Sequence, residues 1–386
     1  MLGVYIHFPY CRKRCPYCDF AVHARQTIPQ DRYADTVVQE CAARAPLFSG
    51  RRAQTLYFGG GTPSLWRPDC VERVVAEIRR TFQLATDSEI TLEANPDLLP
   101  GETLAALLKA GINRLSLGAQ SFSTKSLQLL GRLHQGETIR QAMKNARAVG
   151  FQNISIDLMF ALPEQSTRAL DRELDQVLAL KPDHISLYSL TIESRTAFAA
   201  LVRDKKMVPL EDDKQAALYE QIQRRLGEAG FEQYEISSYA RPGKRSVHNS
   251  NYWRQGEYLG LGSGAHSHRM IDNGGSERFS NPRSVDDYFA MTFDETWPST
   301  KFGSYETLDR AQVEREAIWL GLRELDGIDR RVFQGRFGAD LVIRHGPVVD
   351  RLVEQNLIYV TNERIALSSR GVLFADEIGA RFLSEP

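Results

Sequence analysis

Met1-Leu-Gly-Val-Tyr5-Ile-His-Phe-Pro-Tyr-Cys11-Arg-Lys-Arg-Cys15-Pro-Tyr-Cys18-Asp-Phe20 opens the chain. Gly3 to Phe8 is a short apolar run that reads as a buried β-strand, and three of the five cysteines in 386 residues crowd between Cys11 and Cys18. Such crowding asks for a metal. A closed zinc site takes four protein ligands, commonly from two Cys-x-x-Cys pairs, and no second pair follows downstream. Three thiolates suit an iron–sulfur cubane instead, with one iron left open to a ligand that is not protein. Two other readings stay open here: a zinc site completed by His7 or Asp19, and three cysteines that merely pack as small hydrophobes. The remaining cysteines, Cys41 and Cys70, sit in helical patterns beside apolar neighbours and read as core.

Outward from this stretch, β-branched and aromatic runs alternate with amphipathic ones. Strands are expected at Val4 to Phe8, Thr55 to Phe58, Glu89 to Glu93, Arg114 to Leu117, Asn153 to Met159 and His184 to Leu190. Helices are expected at Gln30 to Ala45, Pro68 to Phe82, Thr103 to Ala110, Glu137 to Val149, Arg168 to Leu180 and Asp213 to Ala229. Six βα units make the fold class α/β with a parallel sheet. A cysteine loop, not a glycine-rich dinucleotide fingerprint, follows the first strand, which favours a partial (β/α)6 barrel over a doubly wound sheet. Either way the chemistry belongs at the carboxyl ends of the strands.

Polar residues stand at those ends. Gly59-Gly-Gly61-Thr62-Pro63 after the second strand lets a backbone approach a ligand closely, although a glycine triplet by itself is also an ordinary tight turn. Glu93 follows the third strand, Gln120 and Arg132 belong to the fourth unit, and Asp157 lies in the fifth strand. Taken singly, Glu93 and Asp157 read equally well as caps, and Arg132 as a solvated helix charge.

The order of these residues resembles the radical S-adenosylmethionine (SAM) superfamily. The Cys11-x-x-x-Cys15-x-x-Cys18 triplet, with Tyr17 before its last cysteine, is similar to that superfamily's signature, in which three cysteines hold a [4Fe–4S] cluster whose open iron is chelated by SAM. Within the coproporphyrinogen dehydrogenase branch, the resemblance extends from Val4 to about Phe289. It implies SAM contacts at Tyr5, Tyr17, Gly60, Gly61, Thr62, Glu93, Gln120, Arg132 and Asp157. Gly60, Gly61 and Thr62 would meet the methionyl ammonium, Arg132 the carboxylate by a two-pronged pair, and Glu93 or Asp157 the ribose hydroxyls. Two departures separate the chain from the dehydrogenase: Phe20 stands where that enzyme has a further cysteine, and the first strand begins at once, without an N-terminal extension.

Val247-His248-Asn249-Ser250-Asn251-Tyr252-Trp253 is similar instead to a motif of the dehydrogenase's haem-chaperone relatives. The resemblance implies haem held near His248, Asn249, Tyr252 and Trp253. An imidazole can ligate iron axially, and the aromatic rings offer flat faces to a macrocycle. Alternate glycines from Tyr258 to Gly264 suggest close backbone approach, to SAM or to a porphyrin edge. His266 and His268, which would face one side of an extended segment, read first as ordinary polar loop residues and are held only as reserve axial ligands.

The chain divides into 1–290, including the haem-motif extension at about 231–290; a linker at 291–305 containing Trp297-Pro298-Ser299-Thr300; and a small α+β domain at 306–386. In the last, a helix from Thr307 to Leu325, helices at Asp329 to Phe337 and Pro347 to Gln355, strands at Leu357 to Val360 and Ile365 to Leu367, and a terminal helix resemble a winged helix. The family's C-terminal domain has this form and serves as a cover over the barrel mouth or as a partner surface. From Lys301 onward twelve Lys and Arg face fourteen Asp and Glu, and the whole chain carries a formal charge of -1, which argues against nucleic acid as a partner. No run is long and apolar enough to span a membrane and no leader signature precedes the first strand, so a cytoplasmic address is expected. The expected function is binding haem and passing it to an acceptor protein, with respiratory proteins among the candidates. The alternative is a radical SAM enzyme that oxidises or cleaves a tetrapyrrole.

Overall fold

The computed structural model describes residues 1–291 and 303–383. Six parallel strands, β1 (Leu2–Phe8), β2 (Ala53–Gly60), β3 (Glu89–Ala94), β4 (Arg114–Gln120), β5 (Ile154–Phe160) and β6 (His184–Ser189), pair in chain order. The helices between them are α1 (Gln30–Arg44), α2 (Pro68–Phe82), α3 (Gly101–Lys109), α4 (Gly136–Val149) and α5 (Thr167–Ala179), with α6 (Asp212–Glu228) after β6. These are the six expected βα units, each boundary within two residues except the carboxyl end of the fourth strand, which runs three residues further, to Gln120.

Each strand has two unlike faces. On β4, Leu115, Leu117 and Ala119 are fully buried and join Ile90, Leu92, Ile154 and Ile156 in the core shared with the helices. The alternate residues Arg114, Ser116, Gly118 and Gln120 point the other way, into the barrel. The interior is therefore polar, and the strands alternate where a parallel sheet buried on both faces would read as a continuous apolar run. At the carboxyl end of β4 the register slips between Gly118 and Gln120, and Gln120 takes φ 63°. A left-handed non-glycine residue costs on the order of 1 kcal/mol or more, and here it re-aims a side chain at the strand tip.

The sheet continues past both edges, with Ser238–Ala240 and then Glu232–Glu235 beyond β6, and Glu257–Leu261, His266–Met270, Ser276–Ser280 and Tyr305–Leu308 in turn beyond β1. β7 (Glu232–Glu235) and β8 (Ser238–Ala240) form an antiparallel hairpin. The segment Val247–Trp253 is a helix (α7), capped by the Ser246 hydroxyl accepting from the Asn249 N–H. β9 (Glu257–Leu261) then runs parallel to β1, a seventh parallel strand that the alternate glycines concealed. β10 (His266–Met270), β11 (Ser276–Ser280) and β12 (Tyr305–Leu308) extend the edge as an antiparallel meander.

Gly260 explains how a glycine sits mid-strand in β9. A Cβ there would lie 2.0 Å from the His266 carbonyl oxygen, so the glycine admits the backbone of β10. The expected close approach is real, but its partner is this hairpin and not a ligand.

β12 falls across the boundary expected at 306 and belongs to the main sheet. Helix α8 (Arg310–Gly321) follows, shorter than the expected helix because Asp309 forms a capping box with Gln312. A three-stranded antiparallel sheet of Ile328–Asp329, Arg364–Leu367 and Ile358–Val360 packs with helices Arg330–Phe337, Gly346–Glu354 and Ala375–Leu383. This is the winged-helix-like arrangement. Trp297 to Thr300 lies outside the described residues.

Candidate cluster site and adjoining cavity

A cavity of about 350 Å3 lies inside the barrel toward the carboxyl ends of the strands. It brings together Cys11, Cys15, Cys18, Tyr17, Gly60, Gly61, Thr62, Glu93, Gln120, Arg132 and Asp157, residues up to 146 positions apart in the chain. Tyr5 is the exception among the expected SAM contacts. Its hydroxyl bonds His7 Nδ1 at 3.0 Å and its ring faces a second cavity.

The thiols sit on the wall in a setting suited to anionic sulfur. The Thr62 hydroxyl donates to Cys11 Sγ at 3.5 Å, and an Arg132 N–H lies 3.7 Å from Cys15 Sγ. Burial pushes the Cys11 thiol up to about 11, so bound metal would have to supply the charge that makes it a thiolate. Four thiolates about one zinc at about 2.3 Å would lie roughly 3.8 Å apart. Among the described residues, only Asp31, Asp69 and Cys70 place three candidate ligand atoms within 4.8 Å of one another, so the loop sulfurs are spread more widely than a single ion would hold them. His7 is also spent, its Nε2 bonding the Ala21 carbonyl at 2.9 Å. The donor set fits a cluster with one open corner better than zinc. Cys41 and Cys70 are buried core residues, as expected.

The glycine loop is fastened to the end of β1, just before the cysteine loop. Gly60 has φ +110°, a Cβ there would meet the His7 ring at 2.6 Å, and the Gly61 N–H donates to the Phe8 carbonyl at 2.8 Å. Glu93 lies beneath this loop, accepting from the Tyr57 hydroxyl at 2.8 Å and the Gly60 N–H at 3.2 Å. Burial lifts its carboxyl to about 7, and Asp157 nearby adds to the rise against the Tyr57 hydrogen bond. Asp157 is raised by burial as well, and accepts from the Ser116 and Ser155 hydroxyls at 2.8 and 3.1 Å. Arg132 donates to the Gly118 carbonyl at 2.8 Å and to Asn95, which fixes its guanidinium at the cavity wall.

Sequence reasoning missed Arg114, Ser116, Ser186 and Tyr188, which also line this cavity, as does Asn249, expected at the haem instead. The signal was there: polar residues at every second position of otherwise apolar strands, as in Arg114-x-Ser116-x-Gly118-x-Gln120.

Helix α7 places His248, expected as an axial ligand, inside the protein. The imidazole is 1% exposed, with Nδ1 on the Thr55 hydroxyl at 2.8 Å and Nε2 on the Tyr252 hydroxyl at 2.9 Å, and it stacks on Tyr57 at 5.0 Å. Both nitrogens are engaged, and burial lowers its basicity to about 3. Glu89, the first residue of β3, accepts from the backbone N–H groups of Val247 and His248, so α7 closes the amino-terminal end of the barrel, opposite the cysteines. The motif radiates from this floor. Asn249 reaches the first cavity, Tyr252 the second, and Trp253 packs under Arg323 of the C-terminal domain at 4.9 Å. The four expected haem residues thus face different surroundings.

The second cavity, of about 630 Å3, shares Tyr17, Cys18 and Phe20 with the first and adds Tyr5, Tyr252, Tyr258, His266 and Arg283. Of the reserve histidines, His266 faces it. His268 is buried, with Nδ1 on the Gly256 carbonyl at 3.2 Å.

Fold and site together define a radical SAM protein built on the architecture of coproporphyrinogen oxidases. The radical SAM superfamily profile matches residues 5–177, and the HemN C-terminal domain profile matches 308–374. The structure of Escherichia coli coproporphyrinogen III oxidase (HemN), described as a radical SAM enzyme, aligns with a TM-score of 0.83 at 25% identity over 99% of this chain and 90% of that one. The curated protein "Heme chaperone HemW" of Bacillus subtilis is 33% identical over all of both chains, and its Escherichia coli counterpart is 33% identical over all of this chain and 98% of its own. A mouse mitochondrial protein named for its radical SAM domain is 34% identical over 97% of this chain and 86% of its own. The chain belongs to the HemW family. The superfamily implies a [4Fe–4S] cluster and SAM.

Proposed function

We propose that this protein binds haem and delivers it to an acceptor protein, with a [4Fe–4S] cluster on Cys11, Cys15 and Cys18 and SAM in the first cavity. Full-length similarity to proteins named as haem chaperones carries this reading. The bound cluster would supply a one-electron centre and an open iron for the amino and carboxylate groups of SAM. Around it, Arg132 pairs with the carboxylate, Gly60, Gly61 and Thr62 receive the ammonium, and Glu93 or Asp157 accepts from the ribose hydroxyls. Tyr17 and Gln120 complete the wall on this reading, and the second cavity is large enough for a further ligand. Among the described residues no helix is long and apolar enough to cross a membrane, in keeping with the cytoplasmic address proposed here.

The likeness to coproporphyrinogen III oxidase favours a second reading, a radical enzyme acting on a porphyrinogen. Turnover separates the two. Anaerobic, reduced, cluster-loaded protein given SAM and coproporphyrinogen III is expected to form no protoporphyrinogen, while the same protein preloaded with hemin passes it to an apo-haem protein. Rapid conversion of coproporphyrinogen without hemin transfer would replace the chaperone by the enzyme.

A further inference from the structure

The second cavity gives the cargo a place, an inference that rests on the haem reading above. At about 630 Å3 it falls within the usual size of small-molecule sites, about 300 to 1,000 Å3. Its wall is aromatic. Tyr252 and Tyr258 meet edge to face at 4.8 Å, Tyr5 stands beside them, and Phe20, 65% exposed, forms part of the rim.

Two histidines line this wall, and they differ in what they can offer. His7 has both nitrogens bonded, to Tyr5 and to Ala21. His266, the first residue of β10, is exposed to the cavity and makes no side-chain hydrogen bond among the described residues. Its imidazole therefore stands open to the cavity with neither ring nitrogen engaged by a side-chain hydrogen bond among the described residues. Arg283 is exposed at the same cavity; one of its N–H groups holds the Asp19 carbonyl at 2.7 Å.

We propose that haem occupies this second cavity, with His266 as axial ligand to the iron, Tyr252 and Tyr258 against the macrocycle, and Arg283 meeting a carboxylate on the porphyrin edge. Each of the ligand's three chemistries, a Lewis-acidic metal, a flat apolar face and an anionic rim, then finds its complement on one wall. His248 keeps its place in the barrel floor and touches no iron.

The test is a hemin titration of the full-length, cluster-loaded protein under anaerobic conditions, comparing wild type, His266→Ala, His266→Cys and His248→Ala. Wild type is expected to bind hemin with a defined Soret band. His266→Ala is expected to bind at least tenfold more weakly with a shifted band, and His266→Cys to recover affinity with a thiolate-type spectrum. His248→Ala is expected to lose stability but keep the wild-type band. Unchanged iron–sulfur absorbance in each variant reports an intact barrel. Wild-type affinity and spectrum in His266→Ala would overturn this site while leaving the chaperone reading standing, as would a Soret shift confined to His248→Ala. A wild-type protein that takes up no hemin would overturn the chaperone reading itself, and this site with it.

Discussion

Glu93 is the residue at which burial and function pull hardest against each other. Its carboxyl is lifted to about 7 in the folded chain from an ordinary value of 4.5, because burial in the barrel interior disfavours the anion. The folded state therefore holds the proton more tightly than the unfolded state. The contribution to stability is full below about pH 4.5 and is lost as pH rises through 7, a swing of about 2 kcal/mol once cavity solvent is allowed for. Glu93→Gln removes the titration. Urea denaturation at pH 5 and pH 8 is expected to show a smaller loss of stability over that interval in the variant than in wild type; equal losses would mean that the carboxyl titrates normally. The histidines of the interior have the opposite sign. His248, held neutral and lowered to about 3, withdraws stability as pH falls below 6.5.

At the scale of elements, the β9–β10 hairpin decides where His266 stands, and Gly260 decides whether the hairpin closes. Gly260→Ala drives a methyl group into the His266 carbonyl and is expected to cost about 3 kcal/mol or more, seen as a lowered urea midpoint. A midpoint within about 0.5 kcal/mol of wild type would show that the strands part without cost. The same hairpin marks the limit of what could be read from residues alone. The six βα units were legible because each strand and helix carries its own periodicity, and the cysteine loop because its spacing is local. β9 was hidden because a glycine demanded by a neighbouring backbone looks, in one dimension, like a broken strand. α7 was hidden for a related reason: its seven residues are too few to show an apolar stripe, and its burial comes from Thr55, Tyr57 and Glu89, far away in the chain. His248 was accordingly legible as an unusual residue and illegible as part of a floor. The polar lining of the barrel lay between these extremes, written in the strands at period two but readable only once the sheet was known to curl around a cavity.

For the molecule as a whole, the two cavities share a wall at Tyr17, Cys18 and Phe20, so what fills one bears on the other. Cluster assembly that fixes Cys18 is expected to change hemin affinity by severalfold, and hemin must then change SAM affinity of the loaded protein by whatever factor SAM changes that of hemin. Titrating each ligand with and without the other checks this; two independent binding curves would mean the shared wall transmits nothing. The floor has a consequence of its own. With α7 across one end, the barrel is a cup and not a tunnel, and its other end is rimmed by the exposed Arg12, Lys13 and Arg14. An acceptor approaching from the stoppered side would find only the outside of the vessel.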